Sequence, residues 1–311
     1  MNKFKILISW PLVNVEIKKL NKKIKKNFSF DYKYPKQFLS EKEIIKIIHK
    51  YDGIICGDDQ ISKKVLLNAK KLKVISKWGT GLDSIDVTFA NKQGIKIYNS
   101  PGAFTESVSQ LAVGMIIALN RKMFITNEEI IKGNWPKLSG FNLNSMTFGI
   151  LGLGKIGTEI ARLLSIFGGK IYGYDIKKID RFKLVKSNIL QVSKNFLLKN
   201  SDVIICSTDL NKSSYRLIDF RDFSLMKKKP IIINISRGKV INENALIDAL
   251  KTNKISGAGL DVFENEPLTI KNKLFQFKNC IFSSHNAFNT YDSIKRVNDN
   301  SIKNLLKVFN F

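Results

Sequence analysis

The stretch MTFGILGLGKIGTEIARLL, residues 146–164, decides the fold of this chain of 311 residues. It opens with an apolar run that predicts a short strand, and the run leads into the pattern G-x-G-x-x-G formed by Gly152, Gly154 and Gly157. Apolar residues then recur at helical spacing. The glycines allow a tight turn and let the backbone approach a pyrophosphate at the N-terminus of the helix. The stretch therefore predicts a dinucleotide-binding unit.

The acidic residue Asp175 ends the next predicted strand, IYGYD. A carboxylate at this place accepts hydrogen bonds from ribose hydroxyls and repels a 2′-phosphate, which favours NAD over NADP. Lys177 and Lys178 follow at once and weaken the exclusion of NADP, and a helix or turn cap remains the alternative for Asp175. We also assign Lys155 and Ile156, within the glycine turn, to the cofactor site.

Short β-rich runs alternate with helical patterns along the whole chain, which is typical of parallel sheets covered by helices on both faces. The length is sufficient for two domains. A long buried helix is expected over 106–123, and the Lys-rich stretch 18–26 is interpreted as the solvated face of a helix. The predicted strands are 5–9, 53–56, 74–77, 96–99, 146–151, 170–174, 203–207, 231–235 and 257–260.

The formal net charge of +26 is compatible with a nucleic-acid binder, since cations displace counterions from phosphate. Only seven of the 52 basic residues are arginine, however, and the 45 lysines are spread along the chain. We therefore predict no nucleic-acid partner and expect the charge to attract an anionic metabolite or cofactor. A basic nucleic-acid binder with a vestigial fold remains the alternative.

Three widely spaced cysteines, Cys56, Cys206 and Cys280, stand in apolar runs. They predict buried thiols in a reducing compartment, with no disulfide framework and no metal site. No window approaches the roughly 18 apolar residues of a membrane span. The start MNKFKILISWPLV is interpreted as a first strand, because its apolar run is short and contains Pro11. We expect a cytoplasmic protein with no membrane contact.

Three further motifs follow the glycine turn in order: IIINISRGKVINENAL at 231–246, SGAGLDVFENEPL at 256–268 and SSHNAFNT at 283–290. Together with the glycine turn they resemble the D-isomer-specific 2-hydroxyacid dehydrogenases, from about residue 72 to the carboxyl terminus. The resemblance implies two doubly wound parallel-sheet domains with an interdomain cleft. The Rossmann-type NAD-binding domain would span 101–284, and a flavodoxin-like substrate domain would combine 1–100 with 285–311. It also implies a homodimer.

The resemblance further implies an NAD-dependent oxidoreductase that interconverts a small anionic D-2-hydroxy acid and its 2-oxo acid. Arg237, Glu266 and His285 match the family's catalytic set. Reduction needs a positioned acid for the carbonyl oxygen, and His285, one of two histidines, can donate near neutral pH. Glu266 would orient the imidazole and favour its protonated form, and Arg237 would pair with the substrate carboxylate. Each residue has an alternative interpretation: Arg237 as part of a surface ion pair, Glu266 as a loop carboxylate and His285 as a capping residue.

Other positions carry over from the same resemblance. In SKWGTGLDSID, residues 76–86, the backbone amides of Gly79, Thr80 and Gly81 would bind the substrate carboxylate. Lys77 would meet a second anionic group such as a phosphate, with a side chain pointing to solvent as the alternative. The further cofactor contacts implied are Thr208, Ile235, Ser236 and Asp261, the last as an acceptor for the nicotinamide amide.

The substrate itself stays open. The pair 3-phosphoglycerate and phosphohydroxypyruvate is one candidate, and a related small acid is another. Phe288, two residues beyond Asn286, departs from the small residues that the family commonly has after the histidine, which leaves the shape of the substrate pocket undecided. A catalytically idle NAD-binding regulatory protein, like the family's corepressors, is the alternative function.

Overall fold

The computed structural model describes residues 3–33, 35 and 38–311. The chain divides into two compact units, the first formed by Met1–Phe104 with Asn289–Phe311 and the second by Thr105–Phe288. Each unit is built on its own parallel sheet, with five strands in the first unit and seven in the second. The predicted α/β class with two doubly wound parallel sheets is confirmed.

The first unit alternates short strands with short helices. Its strands are β1 (Phe4–Ile8), β2 (Phe28–Tyr32), β3 (Gly53–Cys56), β4 (Val74–Lys77) and β5 (Lys96–Tyr98). Its helices are α1 (Asn14–Lys19), α2 (Lys22–Asn27), α3 (Glu41–Ile45), α4 (Lys63–Asn68), α5 (Val87–Lys92) and the terminal helix (Tyr291–Val308). The strand order β2-β1-β3-β4-β5 is the flavodoxin-like order.

The second unit has the larger sheet. Its strands are β6 (Thr147–Leu151), β7 (Lys170–Tyr174), β8 (Ile189–Gln191), β9 (Val203–Cys206), β10 (Ile231–Asn234), β11 (Gly257–Leu260) and β12 (Cys280–Phe282). Its helices are α6 (Thr105–Asn120), α7 (Met123–Ile131), α8 (Lys155–Ile166), α9 (Arg181–Lys186), α10 (Lys194–Asn200), α11 (Phe220–Leu225) and α12 (Glu243–Lys251). The order β12-β11-β10-β9-β6-β7-β8 is that of a Rossmann sheet, and the direction of winding reverses between β6 and β9.

The central strands are buried on both faces, as expected for a parallel sheet covered by helices. Every residue of β3, β9 and β10 is buried. In the second unit, Ile204 and Ile232 of the sheet belong to one apolar core with Leu246 and Leu250 of α12. This rigid layer fixes the positions of the loops that follow the strands.

The long helix predicted over 106–123 ends at Asn120 instead. The Asn120 side chain donates to the Phe141 carbonyl at 2.7 Å and accepts from the Phe141 N–H at 3.1 Å, which ties the helix end to a distant segment. Lys122 then has φ 53°, in the left-handed region, and α7 starts in a new direction. The predicted helix was therefore too long, and α7 was not predicted.

The Lys-rich stretch 18–26 is not one helix. It falls on α1 and α2, which are separated at Leu20 and Asn21. The Asn21 side chain accepts the Ile24 N–H at 3.0 Å and so starts a second helix.

Candidate active site

The loops that follow the strands of the second sheet carry the residues predicted for the cofactor and for catalysis. Because parallel strands end on the same edge of a sheet, these residues share its carboxyl edge. The glycine turn follows β6 beside the point where the winding reverses. The other predicted residues at this edge are Asp175 after β7, Thr208 after β9, Arg237 after β10, Asp261 after β11 and His285 after β12.

The glycine turn is a place where side chains do not fit. Gly152 has φ +97°, and a Cβ there would lie 2.9 Å from the backbone of Thr208. A Cβ on Gly157 would lie 2.0 Å from the Gly152 carbonyl oxygen. The Ser207 hydroxyl donates to that same oxygen at 2.8 Å. Gly154 starts α8 without a side-chain cap, so the first N–H groups of α8 suit a pyrophosphate.

Asp175 stands beside this turn. Its Oδ2 accepts the Leu153 N–H at 2.9 Å, and its Oδ1 accepts the Lys177 N–H at 3.0 Å. The carboxylate therefore caps a turn, as the alternative interpretation held, and also contacts the glycine turn. An ionised carboxylate has about four lone-pair sites, so acceptor capacity remains for ribose hydroxyls. The residues present fit a dinucleotide.

The remaining predicted cofactor contacts lie close to the same edge. The backbone of Thr208 packs on Gly152, as described above. Ile235 is buried, and its N–H donates to the Cys206 carbonyl at 3.3 Å. Lys155 and Ile156 form the first turn of α8, where the Ile156 carbonyl accepts from the Ser109 hydroxyl at 3.3 Å.

His285 and Glu266 form a hydrogen-bonded pair. Glu266 Oε2 lies 2.8 Å from His285 Nδ1, and the two side chains are 20% and 27% exposed. Glu266 Oε1 accepts the Phe263 N–H at 2.8 Å, which fixes the carboxylate from the other side. An ionised carboxylate has no proton to donate. In this hydrogen bond, Nδ1 of the imidazole therefore carries the proton and donates it to Glu266.

The backbone of His285 is held in an uncommon conformation by Asp261. His285 has φ +52°, which few residues other than glycine adopt. The Asp261 carbonyl accepts the His285 N–H at 2.7 Å, and its carboxylate accepts Asn286 N–H at 2.8 Å and Ala287 N–H at 3.2 Å. Asp261 is 1% exposed. This support of the backbone of residues 285–287 was not predicted from the sequence, because no local pattern indicates it.

Arg237 begins a turn that lies directly on the segment before Glu266. A Cβ on Gly238 would lie 1.8 Å from the carbonyl carbon of Phe263, so only glycine permits this approach. Asn234 donates to the Arg237 carbonyl at 3.1 Å, and Arg237 Nη1 donates to the Ser236 carbonyl at 2.9 Å. The turn of Arg237 and the loop of Glu266 are therefore packed together.

In the first unit, the predicted substrate loop follows β4. Lys77, at the end of β4, is 2% exposed, so its side chain does not point to solvent. Its Nζ donates to the Gly57 carbonyl and pairs with Asp58 Oδ1 at 2.6 Å. Gly79 has φ +136° and is buried. Thr80 and Gly81 follow it and are partly exposed.

The three thiols do not provide a nucleophile. Burial raises the pKa of Cys206 and of Cys280 to about 12 and raises the pKa of Cys56 well above its usual range. Cys280 is only partly buried, in contrast to the prediction of three buried thiols. Among the described residues, no group of three His, Cys, Asp or Glu side chains is arranged to hold a metal ion.

In the part of the chain that the structure describes, no single helix is both long enough and apolar enough to span a membrane. Of these helices, only α6 and α7 taken together, with a bend of 58° between them, have the length and apolar composition of a span.

A Rossmann sheet with a glycine turn, an acidic residue and an Arg, Glu and His set at its carboxyl edge defines a dinucleotide-dependent oxidoreductase. Residues 113–287 match the family model described as D-isomer specific 2-hydroxyacid dehydrogenase, NAD binding domain. The chain belongs to the D-isomer-specific 2-hydroxyacid dehydrogenase family, and it is an NAD-dependent oxidoreductase. The predicted family, enzyme class and NAD cofactor are confirmed.

Individual relatives agree with this family. A glyoxylate reductase of Thermofilum pendens is 36% identical over 276 residues, which cover 86% of this chain and 81% of the relative. A hydroxypyruvate reductase of Thermotoga maritima is 34% identical over 276 residues, or 87% of this chain and 89% of the relative. The structure of a D-lactate dehydrogenase from Aquifex aeolicus, complexed with NAD and lactic acid, matches with a TM-score of 0.87 and 28% identity over 98% of this chain and 95% of that one.

Proposed function

We propose that this enzyme uses NADH to reduce a short, unphosphorylated 2-oxo acid, of the size of glyoxylate or hydroxypyruvate, to the 2-hydroxy acid. The observation that carries the proposal is the 2.8 Å pair of Glu266 and His285 beside the turn of Arg237. Bound NADH supplies the hydride for the carbonyl carbon. The relatives named glyoxylate reductase and hydroxypyruvate reductase match over more than four fifths of their lengths and support a short acid.

In this proposal, His285 is the general acid. Glu266 holds the Nδ1 proton, so Nε2 delivers the proton to the carbonyl oxygen as the hydride arrives at the carbon. The negative charge of Glu266 stabilises the imidazolium that this step requires. Arg237 offers a fixed fork of donors to the substrate carboxylate and to the polarised carbonyl. The backbone amides of Gly79, Thr80 and Gly81 are assigned to the substrate carboxylate.

The state of Lys77 supports an unphosphorylated substrate. Its ammonium is already paired with Asp58 at 2.6 Å and bonded to the Gly57 carbonyl. A phosphate at this place would have to compete with the Asp58 carboxylate, and like charges repel. The phosphorylated pair, 3-phosphoglycerate and phosphohydroxypyruvate, is therefore the second candidate.

The function is tested by following NADH consumption with glyoxylate, hydroxypyruvate, pyruvate and phosphohydroxypyruvate. We expect kcat/KM to be larger for glyoxylate or hydroxypyruvate than for phosphohydroxypyruvate. The reverse order would assign the enzyme to phosphorylated acids. No turnover with any 2-oxo acid would contradict the proposed function as a whole.

A pair of variants at Lys77 and Asp58 tests the choice between substrate classes. We expect Lys77→Met with Asp58→Asn, which removes both charges of the pair, to change kcat/KM for hydroxypyruvate and phosphohydroxypyruvate by the same factor, because the paired charges cancel. Asp58→Asn alone should raise kcat/KM for phosphohydroxypyruvate relative to hydroxypyruvate, because it removes the repulsion. If the double variant lowered kcat/KM for the phosphorylated acid alone, Lys77 would be a phosphate contact.

Asp175 is proposed to select NADH over NADPH. Asp175→Ala should weaken NADH binding by roughly 10- to 100-fold, the range for loss of a hydrogen bond to a charged group. NADPH binding should weaken less or improve, because the carboxylate no longer repels the 2′-phosphate. Titrations of the two cofactors measure both effects. Asp175→Asn keeps an acceptor without the charge, so its affinity for NADH should lie between those of the parent and Asp175→Ala. If the parent used both cofactors equally well, Asp175 would not select between them.

Glu266→Gln should shift the pH dependence of turnover. Without the carboxylate charge, protonated His285 is less stable, so it loses its proton at a lower pH. The reductive rate should therefore fall at a lower pH than in the parent. The oxidative rate, which needs neutral His285, should rise at a correspondingly lower pH. Glu264→Gln, two residues away, is the matched control, and an unshifted profile for Glu266→Gln would exclude the pairing as a factor in catalysis.

We also propose that the enzyme is a homodimer, joined through α7 and the segment that follows it. None of the residues of α7 is buried, although its sequence MFITNEEII is largely apolar. Each buried aromatic side chain contributes roughly 150–250 Å², so this apolar set can approach the roughly 800 Å² per partner of a stable interface. The exposed apolar residues are Met123, Phe124, Ile130, Ile131, Trp135, Leu138 and Phe141.

Light scattering tests the dimer. The parent should have the mass of two chains, and Ile131→Asp with Trp135→Asp should yield single chains. A parent that is a single chain at micromolar concentration would contradict the proposal.

The cytoplasmic location remains a prediction from the sequence.

A further inference from the structure

The turn at residues 79–81 has a defined orientation that its own sequence does not impose. Its two outer residues are glycines, and Gly79 has φ +136°. Glycine tolerates many backbone conformations, so a peptide between glycines rotates at low cost. Contacts from outside the turn must therefore select the orientation that is observed.

Two groups at the end of β5 make this selection. The Ser100 N–H donates to the Gly79 carbonyl at 2.8 Å, and Asn99 Nδ2 donates to the Thr80 carbonyl at 2.7 Å. Asn99 is itself attached to the terminal helix, because its carbonyl accepts from Asn304 Nδ2 at 3.1 Å. Both carbonyls of the turn are thus directed toward β5.

The direction of the carbonyls fixes the direction of the amides. In a planar trans peptide, the N–H points opposite to the C=O of the preceding residue. The N–H groups of Thr80 and Gly81 therefore point away from β5. Among residues 3–33, 35 and 38–311, no protein group accepts a hydrogen bond from either of them.

We propose that Asn99 is a positioning residue that keeps the N–H of Gly81, together with the N–H of Thr80, directed at the substrate carboxylate. This inference rests on the proposed function of the turn. Without the Asn99 amide, the Thr80–Gly81 peptide can rotate and present its carbonyl oxygen, which repels a carboxylate. The Ser100 contact comes from the backbone and holds only the preceding peptide, so the side chain of Asn99 controls the second amide.

The test uses Asn99→Ala and the nearly isosteric Asn99→Asp, whose ionised carboxylate has no donor for the Thr80 carbonyl. Both variants should raise KM for the 2-oxo acid by roughly 10- to 100-fold, the range for loss of one charge-assisted hydrogen bond. The inhibition constant of oxalate, a probe with the same carboxylate, should rise in parallel. We expect kcat to change by no more than a few fold and NADH affinity to stay constant, because the glycine turn belongs to the second unit. That division between KM and kcat indicates lost ground-state binding.

Asn68→Ala is the matched control, since Asn68 Nδ2 also donates to a carbonyl, that of Lys64 at 2.9 Å, but within α4. It should leave KM, kcat and oxalate inhibition unchanged. An active parent whose KM is not altered in Asn99→Ala and Asn99→Asp would overturn the inference alone. The same holds if kcat, NADH affinity and thermal stability fall while KM rises, because that pattern indicates a structural role. A parent without turnover would overturn the proposed function itself.

Discussion

His285→Ala is expected to lower kcat by roughly 10²- to 10⁴-fold, the usual contribution of general acid–base catalysis. The imidazole is held by Glu266 through Nδ1 at 2.8 Å, and alanine offers no proton in its place. The affinity for NADH should change little, because the glycine turn and Asp175 lie on other strands. Steady-state kinetics with the preferred 2-oxo acid and a separate NADH titration measure the two quantities.

Two further variants separate chemistry from folding. His285→Asn suits the left-handed backbone at this position better than alanine, since asparagine is enriched at positive φ, yet it is no acid. It should lose as much turnover as His285→Ala. His49→Ala, at the other histidine, which is exposed, should behave as the parent. If His285→Asn retained most of the parental turnover, the capping interpretation of His285 would replace the catalytic one.

The sequence predicted all the inner strands of both sheets but only one of the four edge strands. β3, β4, β7 and β11 have the predicted bounds. The edge strands β2, β8 and β12 were not predicted, whereas the edge strand β5 was predicted at 96–99 and spans Lys96–Tyr98. An inner strand is buried on both faces and has a continuous apolar run. An edge strand such as ILQ of β8 is short and partly exposed, so its sequence carries a weaker signal.

The helix break after Asn120 shows a second limit. Apolar residues return at Met123 after Arg121 and Lys122, and two hydrogen bonds to Phe141, 21 residues later, hold the helix end at Asn120. The candidate site shows the same limit. The residues at 237, 266 and 285 could be identified as candidates because each belongs to a local motif. The bonds by which Asp261 supports the backbone of residues 285–287 join groups up to 26 residues apart. Local sequence patterns do not predict a contact between residues so far apart.

The second large effect is expected from Gly157→Ala, a change of one methyl group. Its Cβ would lie 2.0 Å from the Gly152 carbonyl oxygen and 2.7 Å from the Ser207 hydroxyl. That carbonyl cannot withdraw easily, because the Ser207 hydroxyl donates to it at 2.8 Å and the Gly152 N–H donates to the Tyr174 carbonyl at 2.8 Å. The first turn of α8 must therefore move away from the loop after β6.

This movement displaces the N–H groups assigned to the pyrophosphate. A hydrogen bond from one of these N–H groups to a charged phosphate contributes about 1.5–3 kcal/mol, so NADH affinity should fall by roughly 10- to 100-fold for each such bond that is lost. Overpacking should also lower stability by about 1–3 kcal/mol, measured by denaturant unfolding. Gly114→Ala, on the exposed face of α6 with no atom within 4 Å of the added Cβ, is the steric control and should match the parent in both measurements.

Gly154→Ala completes the comparison, because the two glycines differ in what surrounds them. A Cβ on Gly154 meets no atom within 4 Å, so the protein alone should tolerate alanine there with nearly unchanged stability. The space in front of α8 is assigned to the pyrophosphate, however, so NADH affinity should still fall. Gly157→Ala would then lose stability and NADH affinity together, and Gly154→Ala would lose NADH affinity alone. If Gly157→Ala bound NADH as tightly as the parent, the glycine turn would not be the cofactor site.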